Sequence, residues 1–141
     1  MQVVGFQFTK ISGEKKKQAK GNVKINSNID IDDVKKEKLS LFPNKEILKF
    51  SFTFSIKYDP SLGEIEFKGD ILTLVENKEE KDILKKFKKK KIDDKYRIPL
   101  FNLILTRTSI SALQLEEDLQ LPPHIPLPKV KTGQNQANYT G

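Results

Sequence analysis

The chain has 141 residues, 32% of them charged and 36% hydrophobic, with a net charge of +7 and no cysteine. That length builds one domain with a real core, and the missing cysteine excludes disulfides, zinc-thiolate sites and thiol catalysis. No run approaches the roughly 18 apolar residues of a membrane helix, and the opening "MQVVGFQFTK" is too short and polar for a signal peptide, so a soluble, cytoplasmic protein is expected.

The first half alternates with period two. "VVGFQFTKI" places Val4, Phe6 and Phe8 on one face. A basic loop, "SGEKKKQAKG", follows. "NVKINSNIDID" places Val23, Ile25, Ile29 and Ile31 together, with Ser27 as the break. The connection Asp33–Glu46 is long and carries Leu39, Leu41 and Phe42 without alternation. In "KFSFTFSIKY", Phe50, Phe52, Phe54, Ile56 and Tyr58 share a wholly apolar face. "EIEFKGDILTL" sets Ile65, Phe67, Gly69 and Ile71 against Glu64, Glu66, Lys68 and Asp70. Successive side chains of a strand point to opposite faces, so these four segments read as a largely antiparallel sheet with one wet face. "DPSLG" between the last two predicts a hairpin.

The second half changes period. Asn77 with Glu80 fits a capping box opening a thin helix over about 78–90, whose apolar residues are Ile83, Leu84 and Phe87. A long helix is predicted over about 99–118, because Pro99 is tolerated in a first helical turn. Phe101, Leu105, Thr108, Ala112, Leu115 and Leu119 are expected to lie on the sheet. Leu100, Leu103, Ile104, Ile110 and Leu113 spread around the rest of the helix, so its far side needs cover from the thin helix, from the Pro-rich segment or from another subunit. "LPPHIPLPKV" favours an extended path, either a strap over the core or one wall of a groove. The domain is expected to end near residue 131, with a disordered polar tail over 132–141. The fold class is thus α+β: a four-stranded antiparallel sheet with a long helix and a shorter basic helix packed on it.

Catalytic signals are weak. The single histidine, His124, has no clear nucleophile or metal partner and reads as a surface or packing residue. There is no Gly-rich phosphate loop and no paired-histidine zinc motif. Adjacent acids such as Asp32–Asp33, Asp93–Asp94 and Glu116–Glu117 point apart on strands and helices. No enzyme activity, cofactor or metal is expected. "NYT" (Asn138–Thr140) reads as an accidental glycosylation match. The basic patch Lys85, Lys86, Lys88, Lys89, Lys90 and Lys91 could neutralise phosphates without reading sequence. Arginine occurs only at Arg97 and Arg107, and only Phe87 interleaves with the lysines, so base recognition and stacking are poorly served.

The order of these segments resembles the SecB-like protein-export chaperone family over roughly residues 3–130. "FQFTKISGE" leads into a crossover loop, followed by "VKINSNIDID", "ILKFSFTFSIKYD" and "GEIEFKGDILTL". "IPLFNLILTRTSISALQL" is similar to the family's long helix, and "LQLPPHIPLPKV" to its closing segment. The likeness extends to the divergent, archaeal SecB-like branch. The resemblance implies a dimer of dimers joined through the first strand and long helix, with Leu100, Leu103, Ile104, Arg107 and Ile110 at the subunit interface. It implies ATP-independent holding of unfolded or pre-export polypeptides. The corresponding client-binding residues are Leu39, Leu41 and Phe42 with Leu121, Ile125 and Leu127. Bacterial members of the family are acidic and dock a translocase motor on an acidic sheet; a net charge of +7 departs from that pattern. The alternative reading is a basic nucleic-acid or ribosome-associated module. A third is an adaptor that oligomerises through the long helix.

Overall fold

The computed structural model describes residues 1–18, 20–130 and 132. The tail expected over 132–141, with its Asn138–Thr140 match, lies outside the described residues apart from Thr132. Four strands form, β1 (Gln2–Lys15), β2 (Lys24–Glu37), β3 (Glu46–Asp59) and β4 (Gly63–Val75). Two helices follow, α1 (Asn77–Phe87) and α2 (Asp94–Leu119). The sheet has the order β1-β4-β3-β2, with every neighbouring pair antiparallel. The α+β fold class expected from the pattern is the one observed.

The β3–β4 hairpin is the centre of the sheet, and its register sets the core. Phe50 faces Ile71, Phe54 faces Phe67 and Ile56 faces Ile65 across the pair. All of these side chains are fully buried. Each contributes roughly 1.5–3 kcal/mol by leaving water. The opposite face stays wet: Lys10 pairs with Glu66 at 2.9 Å, and Ser51 donates to Asp70 at 2.8 Å.

Gly69 of β4 is closely hemmed in by the two strands that flank it, β1 and β3. A Cβ there would strike the carbonyl oxygen of Gln7 and the Phe52 ring, 2.7 Å away. The expected cost of Gly69→Ala is about 1–3 kcal/mol, as for other overpacked cores. Urea unfolding at fixed protein concentration checks it, and an unchanged midpoint would mean that ring and backbone yield freely.

Because β1 and β2 are opposite edges, the connection between them must pass around one end of the sheet. It passes the β3–β4 turn, where the Lys16 and Lys17 N–H groups donate to the Leu62 carbonyl at 2.7 and 3.3 Å. The edge strands are irregular. Register shifts at Val3/Gly5 and Phe8/Lys10 in β1, and at Ile31/Asp33 in β2, mark bulges. The first of them leaves Val4 at a bulge, where it is partly buried like Phe6 and Phe8, with Val3 opposite Thr73 and 41% exposed. Strand β2 also runs on to Glu37, leaving a shorter loop before β3 than expected.

Helix α1 begins one residue earlier than the expected capping box and ends at Phe87. Glu76 is the N-cap, and its backbone N–H donates to the Glu79 carboxylate at 3.0 Å. Ile83 is buried, with Leu84 and Phe87 packed partly against the core, as the thin stripe implied. Helix α2 starts at Asp94, five residues before the expected Pro99. The first turn holds because Tyr96 and Leu100 bury against the core, and the Arg97 N–H reaches the Asp93 carbonyl at 2.8 Å. The proline therefore sits inside the helix, where it removes one intrahelical bond.

The buried row of α2 is Tyr96, Leu100, Ile104, Thr108, Ala112 and Glu116. Only Thr108 and Ala112 were expected there; Leu105 is exposed, while Phe101, Leu115 and Leu119 are partly buried. A row at every fourth residue drifts about 40° per step around a 3.6-residue helix. The face turned to the core thus rotates along α2. This rotation accounts for much of the apolar character all round the helix. Among the described residues, no helix is long and apolar enough to cross a membrane.

Candidate functional site

The expected client-binding residues do not converge on one groove. Leu39, Leu41 and Phe42 sit in the turn between β2 and β3, held by Phe42 N–H to Leu39 carbonyl and Lys45 N–H to Phe42 carbonyl bonds. Leu41 is 83% exposed, while Leu39 and Phe42 are half-buried. Phe42 and Pro43 line a hollow whose other walls are polar, from Lys36 to Glu46. Leu121 is buried in the core, so it closes the domain instead of lining a surface. Ile125 and Leu127 are exposed at 37% and 49%. Their neighbour His124 lies against Phe54, eight residues along β3 from Glu46, or about 26 Å of extended strand. The loop and the Pro-rich segment therefore meet the sheet at separate places.

The Pro-rich segment is pinned as a strap. Gln120 adopts a left-handed conformation at the end of α2, and the Leu121 N–H returns to the Glu116 carbonyl at 2.9 Å. His124 Nδ1 lies 2.8 Å from Glu116 Oε1, both side chains being almost fully buried. Tyr58 donates its phenol proton to the other Glu116 oxygen. Burial, then Glu116, pushes the Tyr58 phenol far above its ordinary range, so it stays a donor at neutral pH. His124 is thus a packing residue, as its isolation in the sequence implied.

The expected interface residues divide in the same way. Leu100 and Ile104 are fully buried in this chain's own core and cannot meet a second copy. Row drift along α2 turns these two residues inward. Leu103 is half-buried, Arg107 is exposed over the Phe6 ring, and Ile110 is 69% exposed. Near them, the core-side residues of edge strand β1 are incompletely covered, Val3 and Ile11 being exposed.

The basic patch leaves the helix. Only Lys85 and Lys86 lie within α1; Lys88, Lys89, Lys90 and Lys91 form the turn and link after it. Lys90 has a left-handed backbone and its ammonium sits over the Phe87 ring at 4.9 Å. Lys86 is tied to Asp93 at 2.7 Å and to Asp82 at 3.4 Å. Asp93 foremost, with Asp82, raises the Lys86 ammonium above its usual range.

The concavity with the most suggestive chemistry lies beside this link. Ile29, Asp30, Ile31 and Asp32 of β2 form one wall, and Lys90, Ile92, Arg97 and Phe101 form the other, around a cleft of about 430 Å³. Strand β2 is an edge, paired on one side only. The cleft thus combines unpaired strand backbone with four apolar side chains. The sequence pattern places Ile29 and Ile31 on one apolar strand face and Phe101 on the sheet side of the long helix, and gives no signal for Ile92. Their alternation and spacing are the same whether a strand lies at the centre or the edge of a sheet. Among the described residues no group of three His, Cys, Asp or Glu could hold a metal ion.

No protein-family model matches the chain. No curated protein matches it. Among solved structures it is similar to a SecB-like chaperone of Mycobacterium tuberculosis, determined in complex with a peptide from an antitoxin. The two share 12% identity over 94% of this chain and 92% of the other, with a TM-score of 0.49. That organism is a mycobacterium, so the match does not bear on the archaeal likeness.

Proposed function

We propose that this chain is an ATP-independent chaperone that holds extended apolar segments of unfolded or pre-export polypeptides. The observation that carries the reading is the cleft along the open edge of β2. An edge strand offers backbone donors and acceptors to a client of any sequence, and a neighbouring apolar wall rewards alternate side chains. Ile29, Ile31, Ile92 and Phe101 supply that wall. The exposed Leu41, Ile125 and Leu127 provide further contacts for a client long enough to reach them. We also propose self-association through β1 and the outer side of α2, with Leu103, Arg107 and Ile110 meeting a second copy. Val3, Ile11, Ile98 and Leu105 are exposed apolar residues on the same two elements.

The test is light scattering from a chemically unfolded client, without ATP, at about 0.5 M salt. There the Debye length falls to roughly 4 Å and adhesion to lysines fades. Near-stoichiometric protein is expected to keep scattering low. A client that aggregates as fast as in buffer would sink the chaperone reading.

A further inference from the structure

We infer that the lysine-rich link selects the client: the cleft prefers extended apolar segments flanked by acidic residues. This rests on the chaperone reading above. Between Lys85 and Lys91 there are six lysines and no acid. Among the described residues, only Lys86 of the six forms an ion pair with a carboxylate. The helix C-terminus accounts for part of this charge, since lysines there complement the carbonyl ends, but the effect fades within one turn.

The cleft continues past Lys90, Ile92 and Arg97 into a second concavity lined also by Lys91, Asp93, Asp94 and Lys95. Both acids there are already engaged, Asp93 with Lys86 and Asp94 with Arg97 at 2.8 Å. Lys90, Lys91 and Lys95 thus face the opening without an anionic partner among the described residues. The mouth of an apolar cleft is therefore positive, which complements an acidic flank.

The opposite wall argues for a peptide over a nucleic acid. Asp30 and Asp32 line it, held only by neutral donors, Asn28 and Thr53. A phosphate chain carries charge at every unit and would be repelled along that wall. A peptide carries its charges at chosen positions and can set neutral residues beside the aspartates. Phe101 is the sole aromatic lining the cleft, too little for a stacking platform.

The test uses fluorescence anisotropy on the full chain with two labelled peptides. They share one apolar, strand-forming core and differ in flanks of three glutamates or three lysines. At 50 mM salt the glutamate peptide is expected to bind about tenfold tighter, what two or three exposed ion pairs supply. At 500 mM salt the two affinities should converge while binding persists. In Lys90→Gln/Lys91→Gln the preference should shrink toward unity. Equal affinities at low salt, with both peptides bound, would overturn the charge preference and leave the chaperone reading standing. No binding of either peptide, with no protection of an unfolded client, would overturn both. A single-stranded RNA oligomer that binds tighter than the glutamate peptide and displaces it would overturn the assignment in favour of a polyanion site.

Discussion

His124→Ala should lower the free energy of unfolding by about 3–5 kcal/mol, the range for leaving a buried charged group without its partner. Glu116 is enclosed where α2 ends, with its two oxygens met by His124 and Tyr58. Taking away the imidazole strands a carboxylate in the core and unpins the strap that carries Leu121. Tyr58→Phe removes one hydrogen bond to the same carboxylate and should cost less, about 1.5–3 kcal/mol. Replacing the whole cluster (Tyr58→Phe with Glu116→Leu and His124→Leu) should recover much of the loss, because no charge is then left buried. Urea unfolding of the four proteins at one concentration decides this. A histidine variant within about 1 kcal/mol of wild type would mean that water reaches Glu116 and solvates it.

Ile92→Ser combined with Phe101→Ser should raise the protein concentration needed to suppress client aggregation by about tenfold or more. Each change removes an apolar contact of roughly 1–3 kcal/mol from one wall of the cleft. Both residues are half-buried, and the strand-side residues Ile29 and Ile31 are left in place. Circular dichroism establishes that the variant is folded. The comparison is Leu41→Asp with Phe42→Asp, which alters the loop at the Glu46 end of β3. If the loop variant loses holding and the cleft variant keeps it, the client site lies at the loop. If both are folded and hold as well as wild type, neither surface is the grip.

The alternation of Phe50, Phe52, Phe54, Ile56 and Tyr58 was legible as one buried face because side-chain period is a local property of a strand. So was the hairpin at Pro60, because turn chemistry is local too. The thin stripe of α1 followed from helical spacing in the same way. Strand order is not local. Nothing in Lys24–Glu37 or Gln2–Lys15 says that each has a neighbour on one side only, and that fact leaves Ile29 and Ile31 packed against the core yet partly open as the wall of a cleft. The start of α2 was misplaced because burial of Tyr96 outweighs the preference of Pro99 for a first turn. His124 and Glu116 are eight residues apart and separated by two prolines and a helix end, and only the fold brings them within 2.8 Å. The chain's local pattern thus prescribed its elements and the inner face of the hairpin. Which edges stay open, which leucines of α2 turn inward and which charges are left facing the cleft depend on contacts between distant segments, and those exist only once the sheet has closed under the helices.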